Sequence, residues 1–179
     1  MENLDACNEL RPIIEAMSEI APEYFEVKRA SLPPKKRERV YCYELYHQMR
    51  SLGGFGDFTL HGEIDKRGDK RFNSSNPDFV IHHPGRRGTG DNFITIEVKV
   101  DDRQSGIVAD LEQLDYMVDK HKYKYGVFIL VGHNMQWFRT NRKTAINDED
   151  YAPRADHLYI ICHDNDGTIE MKSLLELRS

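Results

Sequence analysis

Apolar and polar positions change period several times along the chain, and each change predicts an element. Leu10, Ile13, Ile14, Met17 and Ile20 recur at helical spacing between Asp5 and Glu23, with Asp5 as a candidate cap and Pro22 near the end. Val40, Tyr43, Tyr46 and Met49 take up the same period from Glu38 to Ser51, and Gly53-Gly54 stops it. From Phe58 to Asp65 the period falls to two, with Phe58, Leu60 and Ile64 alternating against Thr59, His61, Glu63 and Asp65, which predicts a half-buried strand. A polar turn follows from Lys66 to Ser75. Asn76 to Val100 then predicts two short strands joined by a Gly-rich turn region, His83 to Asp91. In the second of these, Ile94, Ile96, Val98 and Val100 fall on a core face, and Thr95, Glu97 and Lys99 on a face expected to lie outside the core.

Beyond Lys99, Ile107, Val108, Leu111, Leu114, Met117 and Val118 form the stripe of a helix from about Ser105 to Lys122. Tyr125 to Val131 is a continuous apolar run, the signature of a strand buried on both faces. Trp137 to Ile146 reads as a helix and Leu158 to Cys162 as a strand. Asp164 to Gly167 reads as a hairpin-type turn, and Thr168 to Leu177 as a final strand or short helix. The order is helix, helix, three strands, helix, strand, helix, strand. It predicts an α/β chain with a central mixed sheet flanked by helices.

Polar groups inside this pattern need a physical reason. Glu97 and Lys99 lie roughly 6 to 7 Å apart on one side of a strand that its Val/Ile content marks as central. Charges there are costly unless paired or given a cation. If the preceding strand pairs beside this one, Asp78 comes close to Glu97, and two carboxylates that near repel unless something positive lies between them. If the Phe58 strand hairpins back in turn, its Glu63 end meets the Asp78 end of the next strand. Oxygen ligands favour Mg²⁺ or Mn²⁺, and no Cys/His cluster with zinc spacing competes. Taken alone, a Glu and a Lys alternating on a strand mark a solvated face with an ion pair. The Pro-Asp that opens one strand and the Glu-Val-Lys inside the next point to a cation.

Pro77-Asp78 followed by Glu97-Val98-Lys99 resembles the PD-(D/E)xK nuclease superfamily, the fold of many restriction endonucleases, junction resolvases, recombination exonucleases and viral cap-snatching endonucleases. The resemblance runs from about Arg39 to Val131 and implies a restriction-endonuclease-like αβββαβ core. It implies a Mg²⁺- or Mn²⁺-dependent nuclease, with metal held by Glu63, Asp78, Glu97 and the Val98 carbonyl and with Lys99 beside the attacking water. Several branches carry an acidic residue on the helix before the sheet, and Glu44 matches it by order and element. In exonuclease-type members a Gln and a Tyr on the following helix orient the site or contact the strand. Gln113 and Tyr116 take that place, with two residues between them instead of the usual three. Arg103, just ahead of that helix, is assigned to nucleic acid with them. The partner implied is nucleic acid, DNA before RNA, in restriction, defence or repair. One cleft cuts one strand, so duplex scission implies a homodimer or a second partner. The alternative is a nucleic-acid-binding or assembly module that keeps the fold without turnover.

Bulk properties bound this picture. At 179 residues, 39% hydrophobic, 10% aromatic and 31% charged, the chain is long enough for one ordinary core. One domain is expected: an N-terminal helix and basic linker over 1–37, a catalytic core over 38–131, and a C-terminal helix and strands over 132–179. The net charge of −5 excludes a chain that holds nucleic acid by overall charge. Local patches must serve instead. The candidates are Lys28 to Arg39, around Pro33-Pro34, and a patch of Arg139, Arg142 and Lys143 with Lys120, Lys122 and Lys124. No apolar run near 18 residues and no signal-peptide pattern occur, and Cys7, Cys42 and Cys162 are odd in number and scattered, so a cytoplasmic chain with reduced thiols and no membrane contact is expected.

Overall fold

The computed structural model describes residues 2–27, 30–31, 34–62, 76–86, 88, 90–100 and 104–179. Helix α1 (Glu2–Ser18) leads through a 3-10 turn at Pro22–Tyr24 into a two-residue ribbon, β1 (Glu26–Val27) against β2 (Lys35–Lys36). Part of the basic linker is thus paired backbone. Helix α2 (Glu38–Leu52) ends where its pattern stops: Gly53 takes φ 69° and donates its N–H to the Met49 carbonyl at 3.0 Å. Gly54 has a further role. A Cβ there would come within 2.9 Å of the Pro12 ring, so the glycine lets α1 and α2 close on each other.

Among the described residues six strands then build one sheet in spatial order β3 (Thr59–Gly62), β4 (Phe79–His82), β5 (Asn92–Lys99), β6 (Tyr125–Val131), β7 (Leu158–His163), β8 (Ile169–Ser173). The first three run antiparallel to one another, β5, β6 and β7 are parallel, and β8 returns antiparallel. Each parallel step needs a crossover. Helix α3 (Gln104–His121) supplies the first, and α4 (Met135–Asn141), α5 (Lys143–Ile146) and a 3-10 stretch at Glu149–Arg154 supply the second. Helix α6 (Leu174–Arg178) closes the described chain behind a capping box, Ser173 with Glu176. The architecture is α/β with a mixed sheet between helices.

Sheet registers sort the core into two layers. Ile94, Ile96 and Val98 of β5 join Phe79, Ile81, Val127 and Ile129 beneath Tyr41, Leu45 and Met49 of α2 and Leu10 and Ile13 of α1. On the other side Val80, Phe128, Leu130 and Ile160 pack against Ile107, Leu111 and Leu114 of α3. The polar positions of β5 therefore do not face solvent, contrary to the expectation that this side lies outside the core: Thr95 is 0% exposed and Glu97 7%. A strand paired on both sides and crossed by a helix on each face leaves no wet surface except at its ends.

The expected helix from Trp137 to Ile146 is two pieces. Arg142 leaves helical geometry at φ −124°, ψ 27°, and its guanidinium sits 4.6 Å from the centre of the Trp137 ring. Among the described residues no helix is long and apolar enough to cross a membrane.

Candidate active site

The candidate site lies where β4 begins and β5 ends. Asp78 directly precedes β4, and its Oδ2 accepts the backbone N–H of Val98 at 2.8 Å. The register pairs Phe79 with Ile96 and Val80 with Thr95, so alternation turns Asp78 and Glu97 to the same, α3-covered side. The two halves of the Pro-Asp and Glu-Val-Lys pattern meet through that one hydrogen bond.

Burial dominates the electrostatics. Glu97 is held well above the ordinary carboxylate range, first by desolvation and then by the charges of Asp78 and Asp110. Asp78 is pushed up to about 6 by burial, against the pull of the Val98 N–H, with Glu38 and Asp110 adding repulsion and Lys99 relieving some of it. Lys99 sits among four carboxylates. Burial works against its ammonium, but Asp110, Glu38 and Glu97 outweigh that and hold its pKa above the usual lysine value. Its Nζ lies 3.1 Å from Asp110 Oδ2 and 3.8 Å from Glu38 Oε2. Asp110 is itself raised, chiefly by desolvation. Among the described residues the cluster thus holds more acid than the Lys99 ammonium neutralises.

Glu38 and Asp110 were not among the site residues expected from the sequence. Glu38 reads there only as the start of a helix, and it reaches the cluster from the first turn of α2. Asp110 heads a row of polar positions at intervals of three along α3, Asp110, Gln113 and Tyr116. Glu44, expected to be the helix acid of the site, accepts Gln48 Nε2 at 2.6 Å and lies 3.4 Å from His47 Nδ1. The carboxylate of α2 that couples to Asp78 and Glu97 is Glu38, six positions earlier.

Gln113 is half-buried on α3, and Tyr116 is exposed with its ring edge-on to His121. Glu63 and Arg103 lie outside the described residues. Among the described residues no three His, Cys, Asp or Glu side chains converge closely enough to hold a metal ion. The described donors are Asp78, Glu97 and the Val98 backbone.

Three lysines of the expected phosphate-facing patch lie beside carboxylates. Lys120 and Lys122 lie 2.8 and 4.0 Å from Asp119, and Lys124 lies 2.6 Å from Glu9. Arg142 is 8% exposed against Trp137. Arg139 and Lys143 line a separate depression with Arg178.

Beside the acid cluster a cavity of about 480 Å³ opens between α2 and the β3 and β4 ends, with Glu38 and Asp78 in its wall. Comparison with protein-family models, with curated proteins and with solved structures finds no match to this chain.

Proposed function

We propose that this chain is a Mg²⁺- or Mn²⁺-dependent phosphodiesterase of PD-(D/E)xK type that cuts nucleic acid, DNA before RNA. The observation that carries the reading is the Asp78 to Val98 hydrogen bond, which brings the carboxylate of one half of the pattern onto the middle residue of the other. The succession α2, β3, β4, β5, α3, β6 supports it, because it repeats the αβββαβ order that the resemblance implies.

The donor set fits a hard divalent ion. Asp78 and Glu97 are oxygen donors held against burial and mutual repulsion, and the site's ammonium is engaged by Asp110 and Glu38. Asp78, Glu97 and the Val98 carbonyl would hold the ion, with Glu63 as the further ligand the resemblance implies. A divalent ion there supplies positive charge against the phosphodiester and acidifies water.

The chain's own groups do the rest. The Val98 N–H fixes the Asp78 carboxylate, and the β5 strand fixes Glu97 beside it. Lys99, kept protonated by its acidic neighbours, presents an ammonium where negative charge gathers on the phosphate as the bond to the attacking oxygen forms. Asp110 holds that ammonium in place. Phosphodiester hydrolysis demands a barrier reduction on the order of 20 kcal/mol. Positioning supplies about 7 to 11 kcal/mol, so electrostatic stabilisation must supply most of the remainder.

Incubating plasmid, single-stranded DNA and RNA with the protein and Mn²⁺ tests the reading. Cleavage by wild type that is lost in Asp78→Ala and Lys99→Ala supports it. No cleavage of any substrate, or a wild-type rate in Lys99→Ala, overturns it.

A further inference from the structure

We propose that the cavity beside Asp78 is a stacking subsite for one unpaired nucleobase, which makes single-stranded or locally opened nucleic acid the substrate. The inference rests on the phosphodiesterase reading. Arg39, Cys42, Tyr43 and Tyr46 line the cavity from α2, and their spacing of three and four puts them on one helical face. Gly62, at the end of β3, and Phe79, at the start of β4, line it from the sheet. The inner wall is an aromatic pair: Tyr46 stacks on Phe79 with ring centres 6.1 Å apart and planes within 21°. Tyr43 stands in the outer wall and is 65% exposed, a large ring left in water.

Size, charge and shape agree on the occupant. A volume of about 480 Å³ suits a nucleotide-sized group and not a paired duplex. Aromatic walls bind any base through its face, as proteins that hold single strands do. Arg39 adds a cation to the lining, suited to a neighbouring phosphate of the same strand. Gly62 keeps the inner ring pair reachable. A Cβ built there would lie 3.5 Å from Phe79 Cδ1 and 3.6 Å from Tyr46 Cδ2, in ordinary contact with both rings, so any side chain would occupy the cavity floor. The cavity is therefore open because this position has no side chain. A base seated between Tyr43 and Tyr46 brings its own phosphodiester to the Asp78 end.

Binding is measured by fluorescence anisotropy with a labelled single-stranded 12-mer, the same strand closed into a blunt hairpin, and a strand with abasic sites at its centre. An Asp78→Asn background without metal prevents cutting and removes one repelling charge. Tyr43→Ala should weaken the single strand about tenfold or more, in line with the loss of one stacked base. Tyr43→Phe should bind as its parent. Gly62→Val, whose Cβ would meet the Phe79 and Tyr46 rings at the cavity floor, should weaken binding as Tyr43→Ala does. The abasic strand and the hairpin should bind more weakly than the intact strand, and the intact strand should shield Cys42 from maleimide in a Cys7→Ser variant. Equal binding of all three probes, or Tyr43→Ala binding like its parent while wild type with Mn²⁺ still cuts nucleic acid, overturns the subsite and leaves the phosphodiesterase reading standing. Wild type that neither binds nor cuts any nucleic acid overturns both.

Discussion

Lys99 Nζ lies 3.1 Å from Asp110 Oδ2, so the lysine of the Glu-Val-Lys segment is held by a carboxylate of the next helix. Glu97, two residues before it on the same strand face, acts on Lys99 as the weaker of its acidic neighbours. A flexible ammonium gains a fixed direction from such a contact, and α3 is tied to the end of β5 through it.

Removing either partner should separate their roles. Lys99→Ala should lower single-turnover cleavage with Mn²⁺ about a hundredfold or more, the loss expected for one transition-state stabilising group. Asp110→Asn should lower it less, because Glu38 at 3.8 Å still attracts the ammonium. Asp110→Asn should also move the lysine's titration downward, since its principal favourable neighbour is lost. Equal losses in the two variants with no change in the alkaline limb of the pH profile would contradict this division.

Asp78 makes the metal-free protein less stable as pH rises. Its folded pKa of about 6 lies above the ordinary carboxylate value, so the folded chain binds the proton more tightly than the unfolded chain between about pH 4 and 6. Stability therefore falls across that window, by on the order of 2 to 3 kcal/mol, and levels off above it. Asp78→Asn, which still offers an oxygen to the Val98 N–H, should recover that stability at pH 7.5 in urea unfolding. An unchanged or lower midpoint would count against the strain assigned to this carboxylate.

His163 acts with the opposite sign in an overlapping window. Its ring is 2% exposed, the Tyr41 hydroxyl and Nδ1 share a hydrogen bond at 2.8 Å, and burial lowers its pKa to about 4. Below its ordinary value the unfolded chain takes up a proton that the folded chain refuses. Stability is therefore full above about pH 6.5 and is lost as pH falls toward 4. In wild type the Asp78 and His163 effects offset each other. Asp78→Asn and Asp78→Asn/His163→Gln share the remaining raised carboxylates, so the histidine shows in their difference: the single variant should lose more stability than the double one as pH falls from 6.5 to 4. A difference that stays constant with pH would contradict the assignment.

Thr95, two residues before Glu97 on β5, is another buried polar position. Its hydroxyl is buried with no hydrogen-bond partner among the described residues, and Val80 and Gly126 flank it in the sheet. Thr95→Val keeps the shape and removes the unpaired oxygen, so it should stabilise the fold by about 1 kcal/mol. A destabilised variant would mean that the hydroxyl has a partner.

Much of this layout was legible in the sequence because period and punctuation agree in it. The run from Tyr125 to Val131 is a strand over its whole length, and Gly53 stops α2 as its position implied. Asp78 and Glu97 come to one side because antiparallel pairing follows from the short turn region between their strands. The sequence did not disclose that α3 covers the polar face of β5. A period-two pattern marks which residues share a face, and the same pattern arises whether that face meets water or a helix. Glu38 and Asp110 escaped for a related reason: each lies in the polar stripe of a helix, and only tertiary packing decides which member of such a stripe reaches Lys99. Arg142 was read as a surface cation because a guanidinium folded over a tryptophan has no local sequence signal.

On the proposed function, Asp78 and Glu97 are poised for a doubly charged ion. Calorimetric titration with Mn²⁺ at pH 7.5 tests it most directly. Wild type should bind saturably, because the ion relieves the burial and mutual repulsion that raise both carboxylates. The same titration at pH 5 should show much weaker binding, and Asp78→Ala should abolish it at both pH values. Absence of binding by wild type at pH 7.5, or undiminished binding by Asp78→Ala, would contradict the account.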